Sequence, residues 1–117
     1  MPTAADAQQF AHDWISAWNS RDLDRILSHY AENIVLTSPA AAKLLNDPTV
    51  TGITALRTYI QRGLEAFPNL HFELIEIMRG HSSLVLLFKN QKGTRTAEFM
   101  EFDEAGKVLR VVANYSD

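Results

Sequence analysis

The first half of the chain repeats its apolar residues with the period of an α-helix. Trp14 and Trp18 lie one turn apart in the first run, which predicts a helix over roughly residues 4–19. A second, shorter run follows Asp22, a residue type that caps helices, and its apolar positions extend to Tyr30. The pattern therefore predicts a helical hairpin with one apolar side.

A third helical stripe begins after Gly52 and ends before Pro68, because the residue that precedes a proline disfavours the helical conformation. One short strand, Ile34–Thr37, is predicted ahead of it and stops at Pro39, since proline cannot donate to a β-ladder. Residues 40–50 are predicted as a connection of undefined form. Three helices and one strand thus precede the second half of the chain.

From Leu70 onward the apolar period changes to two, which is typical of strands. The apolar phase moves by one residue at Ile75, and this shift predicts a β-bulge or a change of the covered face. Leu84–Phe88 is apolar at every position, as expected of a strand that is covered on both faces. With two further strands at residues 94–102 and 108–115, the pattern predicts a four-stranded antiparallel meander.

This order of elements indicates an α+β domain in which three N-terminal helices pack on one side of a curved antiparallel sheet. Bending such a sheet around its helices leaves a cone-shaped interior, so a pocket is expected. The sequence contains no internal repeat or linker, and residues 1–117 are predicted to form a single domain.

Composition and charge exclude several classes of function. With 46% hydrophobic and 21% charged residues, the chain has the composition of an ordinary globular protein. Its formal net charge of −3 gives no basic footprint for nucleic acid, which is not expected as a partner. No apolar run approaches the roughly 20 residues of a membrane span, and the first residues carry no leader signal, so a cytoplasmic protein is predicted.

The residue inventory also argues against several kinds of chemistry. The chain has no cysteine, which excludes disulfides, thiolate metal sites and thiol catalysis. Its four histidines show no metal-ligand spacing, and its five glycines are dispersed rather than gathered in a phosphate-binding loop. The sequence therefore predicts neither a metal site nor a cofactor.

Four segments carry a family resemblance. They are Ala17–Asp24 at the first helix turn, Tyr30–Leu36 leading into the first strand, Gly52 at the start of the third helix, and Phe102–Val108 between the last two strands. Together they resemble the nuclear transport factor 2-like superfamily, in particular its SnoaL-like and ketosteroid-isomerase-like branches. The resemblance implies the cone-shaped fold and a small-molecule pocket, whereas the activities within the superfamily differ widely.

The isomerase branch implies a catalytic carboxylate just past the first strand, an aromatic hydroxyl from the first helix and an acid from a late strand. Ser38 stands at the position of the carboxylate, and the first helix offers Trp14 and Trp18 but no tyrosine. The late-strand acid falls near residues 95–98. The isomerase set is therefore incomplete in this sequence.

Three residues are candidates for acid or base chemistry. Glu98 lies in an apolar strand, where burial would raise the pKa of a carboxyl. Apolar residues occupy both faces of that strand, so its orientation is open. His71 and Glu73 lie on one side of another strand and could act as an acid/base pair, with a solvent-exposed face as the alternative.

Six further side chains are predicted to contact the ligand: Trp14, Trp18, Tyr30, Ser38, Tyr59 and Asn114. The two indoles share one helix face and could wall an apolar ligand, with core packing as the alternative. The tyrosine hydroxyls could enter the interior or lie at its rim. Ser38 could orient a ligand oxygen or merely precede a proline, and Asn114 could bind the ligand or pair across the sheet.

Two functions are compatible with this sequence. The first is a domain that binds a small apolar ligand, and the alternative is a cofactor-independent isomerase, cyclase or hydratase that acts on a small carbonyl compound. A homodimer is also expected, because Leu84–Phe88 needs cover on both faces while the helices cover only one side of the sheet. A second copy would then cover the outer face.

Overall fold

The computed structural model describes residues 3–116, which contain four helices and six strands. The helices are α1 (Ala4–Ser20), α2 (Leu23–Leu27), α3 (Pro39–Leu45) and α4 (Ile53–Ala66). The strands are β1 (Tyr30–Thr37), β2 (Thr49–Thr51), β3 (Glu73–Arg79), β4 (Ser83–Lys89), β5 (Arg95–Phe102) and β6 (Val108–Tyr115). The α+β class with N-terminal helices is confirmed.

All six strands form one sheet in the order β2-β1-β6-β5-β4-β3. The antiparallel meander of β3 to β6 is confirmed, as is its bulge, which lies between Leu74 and Glu76. The sheet as a whole is mixed, because β1 runs parallel to β6. Parallel neighbours need a long crossover, and the intervening helices and strands supply it.

The second helix is shorter than predicted, and Tyr30 belongs to β1 instead. Tyr30 lies seven positions after Leu23, a spacing that fits one face of a helix, but its backbone pairs with Val108 of β6. Residues 40–50, left undefined by the sequence, form most of α3 and lead into β2. Ser38 caps α3 and Pro39 occupies its first turn, where proline is favoured.

The core lies between the helices and the face of the sheet that they cover, here called the inner face. Leu84, Leu86 and Phe88 of β4 point to the inner face and are buried, whereas Val85 and Leu87 point to the outer face and are half-buried. The apolar run of β4 is thus covered fully on one side only. The homodimer through the outer face stays a prediction.

No helix within residues 3–116 is both long enough and apolar enough to cross a membrane.

Candidate functional site

A cavity of about 340 Å³ lies between the helices and the inner face, at the edge of the sheet where β1, β4 and β6 end. Most of its lining surface is apolar, and eleven polar residues supply the rest. Small-molecule sites combine apolar walls with polar groups that orient the ligand. The apolar wall includes Trp18, Leu36, Ile60, Phe67, Leu70, Phe72, Phe88 and Ala113. The polar lining includes Ser38, Lys43, Tyr59, Asn90, Gln91, Lys92, Thr94, Thr96, Glu98, Tyr115 and Ser116.

The segment that follows α4 forms one wall and is held by the last turn of α1 and the residue that caps it. The Asn19 side chain pairs with both backbone groups of Phe72, donating to its carbonyl at 2.9 Å and accepting from its N–H at 2.8 Å. The Arg21 guanidinium donates to the carbonyl oxygens of Leu64 and Phe67. This turn therefore fixes Phe67 and Phe72 against the cavity.

Glu98 lies on the inner face of β5, which settles the orientation that the sequence left open. It pairs in register with Leu86 and Ala113, and its residue is 9% exposed. Among residues 3–116, no hydrogen bond or neighbouring charge offsets this burial, and desolvation raises the pKa of Glu98 from 4.5 to about 8. At neutral pH the carboxyl is mostly protonated and can donate a hydrogen bond into the cavity.

The two tryptophans of α1 have different surroundings. Trp14 is completely buried behind the cavity wall, and its indole N–H donates to the Tyr30 hydroxyl at 3.0 Å. Burial, reinforced by the nearby Glu98, raises the pKa of Tyr30 far above its ordinary value, so this hydroxyl stays neutral. Trp18 lines the cavity, and its buried N–H has no hydrogen-bond partner within residues 3–116.

Three hydroxyl groups meet at the end of β1. Ser38 is 2% exposed, and its Oγ lies 3.2 Å from the Tyr115 hydroxyl and accepts from the Tyr59 hydroxyl at 3.5 Å. The same oxygen accepts from the Ala40 N–H at 3.1 Å and so caps α3. Desolvation raises the pKa of both tyrosines, which keeps the cluster uncharged and able to bind a ligand oxygen.

The remaining sequence candidates lie outside the cavity. His71 and Glu73 are exposed and absent from its lining, which agrees with the alternative of a solvated face. Asn114 points to the outer face, where its amide donates to the Ala97 carbonyl at 3.3 Å. The structure brings Trp18, Ser38, Tyr59 and Glu98 together at one cavity.

Sequence reasoning missed several polar residues of the lining. Tyr115 pairs in register with Thr96, which is 3% exposed and shares the inner face with Glu98. The signal was the alternation along the last strand, where Ala113 and Tyr115 fall on the face opposite to Asn114. Lys43, Gln91 and Lys92 carried no such signal, because Lys43 lies in a helix that the pattern did not predict and the other two lie in a turn, where strand alternation does not apply.

Among residues 3–116, no group of three or more His, Cys, Asp or Glu side chains is arranged to hold a metal ion. The cavity chemistry rests on hydroxyl groups, one carboxyl, amides and two ammonium groups.

The model of the SnoaL-like domain matches residues 11–113. This chain belongs to the SnoaL-like family. The resemblance to the nuclear transport factor 2-like superfamily that the sequence indicated is thereby confirmed. No curated protein sequence matches this SnoaL-like chain.

Solved structures share the fold of this SnoaL-like domain. A SnoaL-like protein of unknown function from Burkholderia thailandensis is 34% identical, with a TM-score of 0.95 and 100% of both chains covered. An NTF2-like protein of unknown function from Burkholderia pseudomallei is 14% identical, with a TM-score of 0.77 over 94% of this chain and 90% of that one. TerC, co-crystallised with polyporic acid, is 13% identical, with a TM-score of 0.78 over 94% and 91% of the two chains.

Proposed function

We propose that this SnoaL-like domain binds a small, mainly apolar molecule that carries an oxygen atom. The observation that carries the proposal is a buried carboxyl, Glu98, that faces an apolar cavity without a hydrogen-bond partner among residues 3–116. The carboxyl is open to the cavity and not to another side chain, so a molecule in the cavity can pair with it. A ligand oxygen could accept a hydrogen bond from the protonated carboxyl.

The hydroxyl cluster supports the same ligand chemistry. Ser38, Tyr59 and Tyr115 place neutral hydroxyl groups on the same cavity as Glu98. Convergent polar groups within an apolar lining orient a ligand, while the aromatic walls supply the affinity. TerC, which shares the fold, was crystallised with the small molecule polyporic acid.

The neutral fluorophore N-phenylnaphthylamine tests this function. We expect it to bind with enhanced emission and one site per chain. Ala113 lies in the lining and is 8% exposed, so Ala113→Met narrows the cavity and is expected to weaken binding about tenfold, equivalent to about 1.4 kcal/mol. Fluorescence titration measures both affinities.

The matched control is Ala105→Met, in the exposed turn between β5 and β6 and outside the cavity. It should bind the fluorophore as the wild type does. Absence of saturable binding to the wild type, or equal affinities for Ala113→Met and Ala105→Met, would contradict a binding function for this cavity.

The raised pKa of Glu98 favours a second candidate function, proton transfer on a small carbonyl compound by a cofactor-independent isomerase, cyclase or hydratase. A carboxyl with a pKa near 8 can both give and take a proton close to neutral pH. Neutral tyrosine hydroxyl groups could stabilise charge that develops on the substrate oxygen. Such a reaction would still require Glu98 to be placed beside the proton that moves.

We expect the wild type to show no measurable isomerisation of an unsaturated ketosteroid. A positioned base contributes about 100-fold to 10,000-fold in rate, and Ser38 stands where the isomerases carry theirs. The absorbance of the conjugated product measures the rate in the wild type, Ser38→Asp and Glu98→Gln. Robust wild-type turnover that Glu98→Gln abolishes would establish the catalytic function in place of binding alone.

A further inference from the structure

Two lysines line the open end of the cavity. Lys43 and Lys92 are both exposed, and with Glu98 they are the only charged residues of the lining. They come from different elements, since Lys43 lies in the last turn of α3 and Lys92 in the turn between β4 and β5. The entrance therefore carries positive charge in a chain whose formal net charge is −3.

The position of Lys43 follows from the helix that carries it. Ala40, Lys43 and Leu44 all line the cavity, and residues three and four apart share one face of a helix. Ser38, which caps this helix, already contributes its hydroxyl to the cavity. Lys43 thus stands on the cavity side of α3, about one turn further along the helix from Ser38 than Ala40.

Lys92 is held over the cavity wall by an aromatic ring. Its Nζ lies 5.0 Å from the centre of the Phe67 ring, a cation–π contact with another lining residue. Within residues 3–116 the ion pairs join Arg57 to Asp24 and Arg110 to Glu101. Neither lysine of the entrance is neutralised by a carboxylate in that part of the chain.

We propose that the ligand of this cavity carries a negatively charged group, which binds at the entrance between Lys43 and Lys92 while its apolar body fills the aromatic interior. The inference rests on the proposed binding function and adds the charge of the ligand. A charged group is expensive to bury among apolar walls, so it stays at the solvated end. The protonated Glu98 adds no opposing charge inside at neutral pH.

Two fluorophores with the same aromatic skeleton test the inference. Anilinonaphthalene sulfonate carries a negative charge, and N-phenylnaphthylamine lacks the sulfonate. We expect Lys43→Gln/Lys92→Gln to weaken binding of the sulfonate about threefold to tenfold at low salt, as two solvent-exposed ion pairs would. Binding of the neutral fluorophore should weaken less than binding of the sulfonate, since it loses no ion pair and only the contact of Lys92 with the Phe67 ring changes.

Lys89→Gln/Lys107→Gln is the matched control, because it removes the same charge from two lysines outside the lining. It should leave both affinities unchanged. Raising the salt concentration should weaken the sulfonate complex of the wild type. It should have less effect on the sulfonate complex of Lys43→Gln/Lys92→Gln, here called the entrance variant.

The outcomes separate the two proposals. If the neutral fluorophore binds and the entrance variant holds the sulfonate as tightly as the wild type does, the inference is wrong and the binding function stands. An equal loss for both fluorophores would also reject it, because the variant would then have damaged the cavity. Failure of both fluorophores to bind the wild type would reject the binding function and this inference together.

Discussion

Glu98→Gln is expected to stabilise the protein by several kcal/mol near pH 9 while leaving its stability near pH 4.5 almost unchanged. The pKa of Glu98 is raised from 4.5 to about 8 by desolvation, so the folded state holds a proton that the unfolded chain releases between these values. Stability is therefore fully present below the unfolded pKa and falls as the pH rises to about 8. At about 1.4 kcal/mol for each pKa unit, the loss is on the order of 5 kcal/mol.

Urea unfolding across this pH range measures the effect. Glutamine has nearly the shape of the protonated carboxyl and does not titrate, so the fall in stability attributable to residue 98 should disappear in the variant. Glu73→Gln is the matched control, since Glu73 is exposed on β3 and its replacement should leave the pH profile parallel to that of the wild type. Parallel profiles for wild type and Glu98→Gln would show that Glu98 is not buried in a desolvated site.

The face of β5 on which Glu98 lies could not be predicted from the periodicity of the sequence. Its apolar strand was evident from the sequence, but apolar residues on both faces of β5 left the carboxyl without an assigned side. The structure explains this pattern: Thr96, Glu98 and Met100 point to the buried inner face, whereas Ala97 and Phe99 are half-buried on the outer face. A strand that is apolar on both faces shows no alternation between apolar and polar residues. Only its pairing with neighbouring strands then shows which residues face the core.

The hydroxyl cluster depended on a feature that the sequence pattern could not reveal, the parallel pairing of β1 with β6. Parallel strands end at the same edge of a sheet, so Ser38 after β1 comes close to Tyr115 at the end of β6. In an antiparallel arrangement the two hydroxyl groups would lie at opposite ends. Tyr115 was therefore missed, although Ser38 and Tyr59 were among the predicted ligand contacts.

The helices were predicted most closely where a cap or a proline marks their ends. The first was expected over residues 4–19 and runs from Ala4 to Ser20, and the last stops just before Pro68 as predicted. The errors lie around α2, which has little length in which to show a period, and at α3, which was left undefined although Ser38 caps it. The tertiary pairing of Tyr30 with β6 outweighed the local helical spacing at α2.

Trp14→Ala is expected to destabilise the fold by about 3–5 kcal/mol, far more than Trp18→Ala on the same helix. Trp14 is 0% exposed, and its ring lies 5.8 Å from that of Phe72 and 5.3 Å from that of Phe88, so its removal leaves an internal void. Trp18 already borders the cavity, and its replacement removes an indole N–H that has no partner within residues 3–116. Its loss should cost less than half as much, because it widens a space that already exists.

Tyr30→Phe separates the hydrogen bond of Trp14 from its packing. The variant keeps the ring of Tyr30 but leaves the Trp14 N–H buried without its acceptor, which should cost about 1–3 kcal/mol. In the Trp14→Ala background the same substitution should cost less, since no indole N–H remains to be paired. Chemical unfolding of the single and double variants measures this coupling. Equal destabilisation by Trp14→Ala and Trp18→Ala would contradict the assignment of Trp14 to the core and Trp18 to the cavity. Additive effects of Trp14→Ala and Tyr30→Phe would contradict the hydrogen bond between the two side chains.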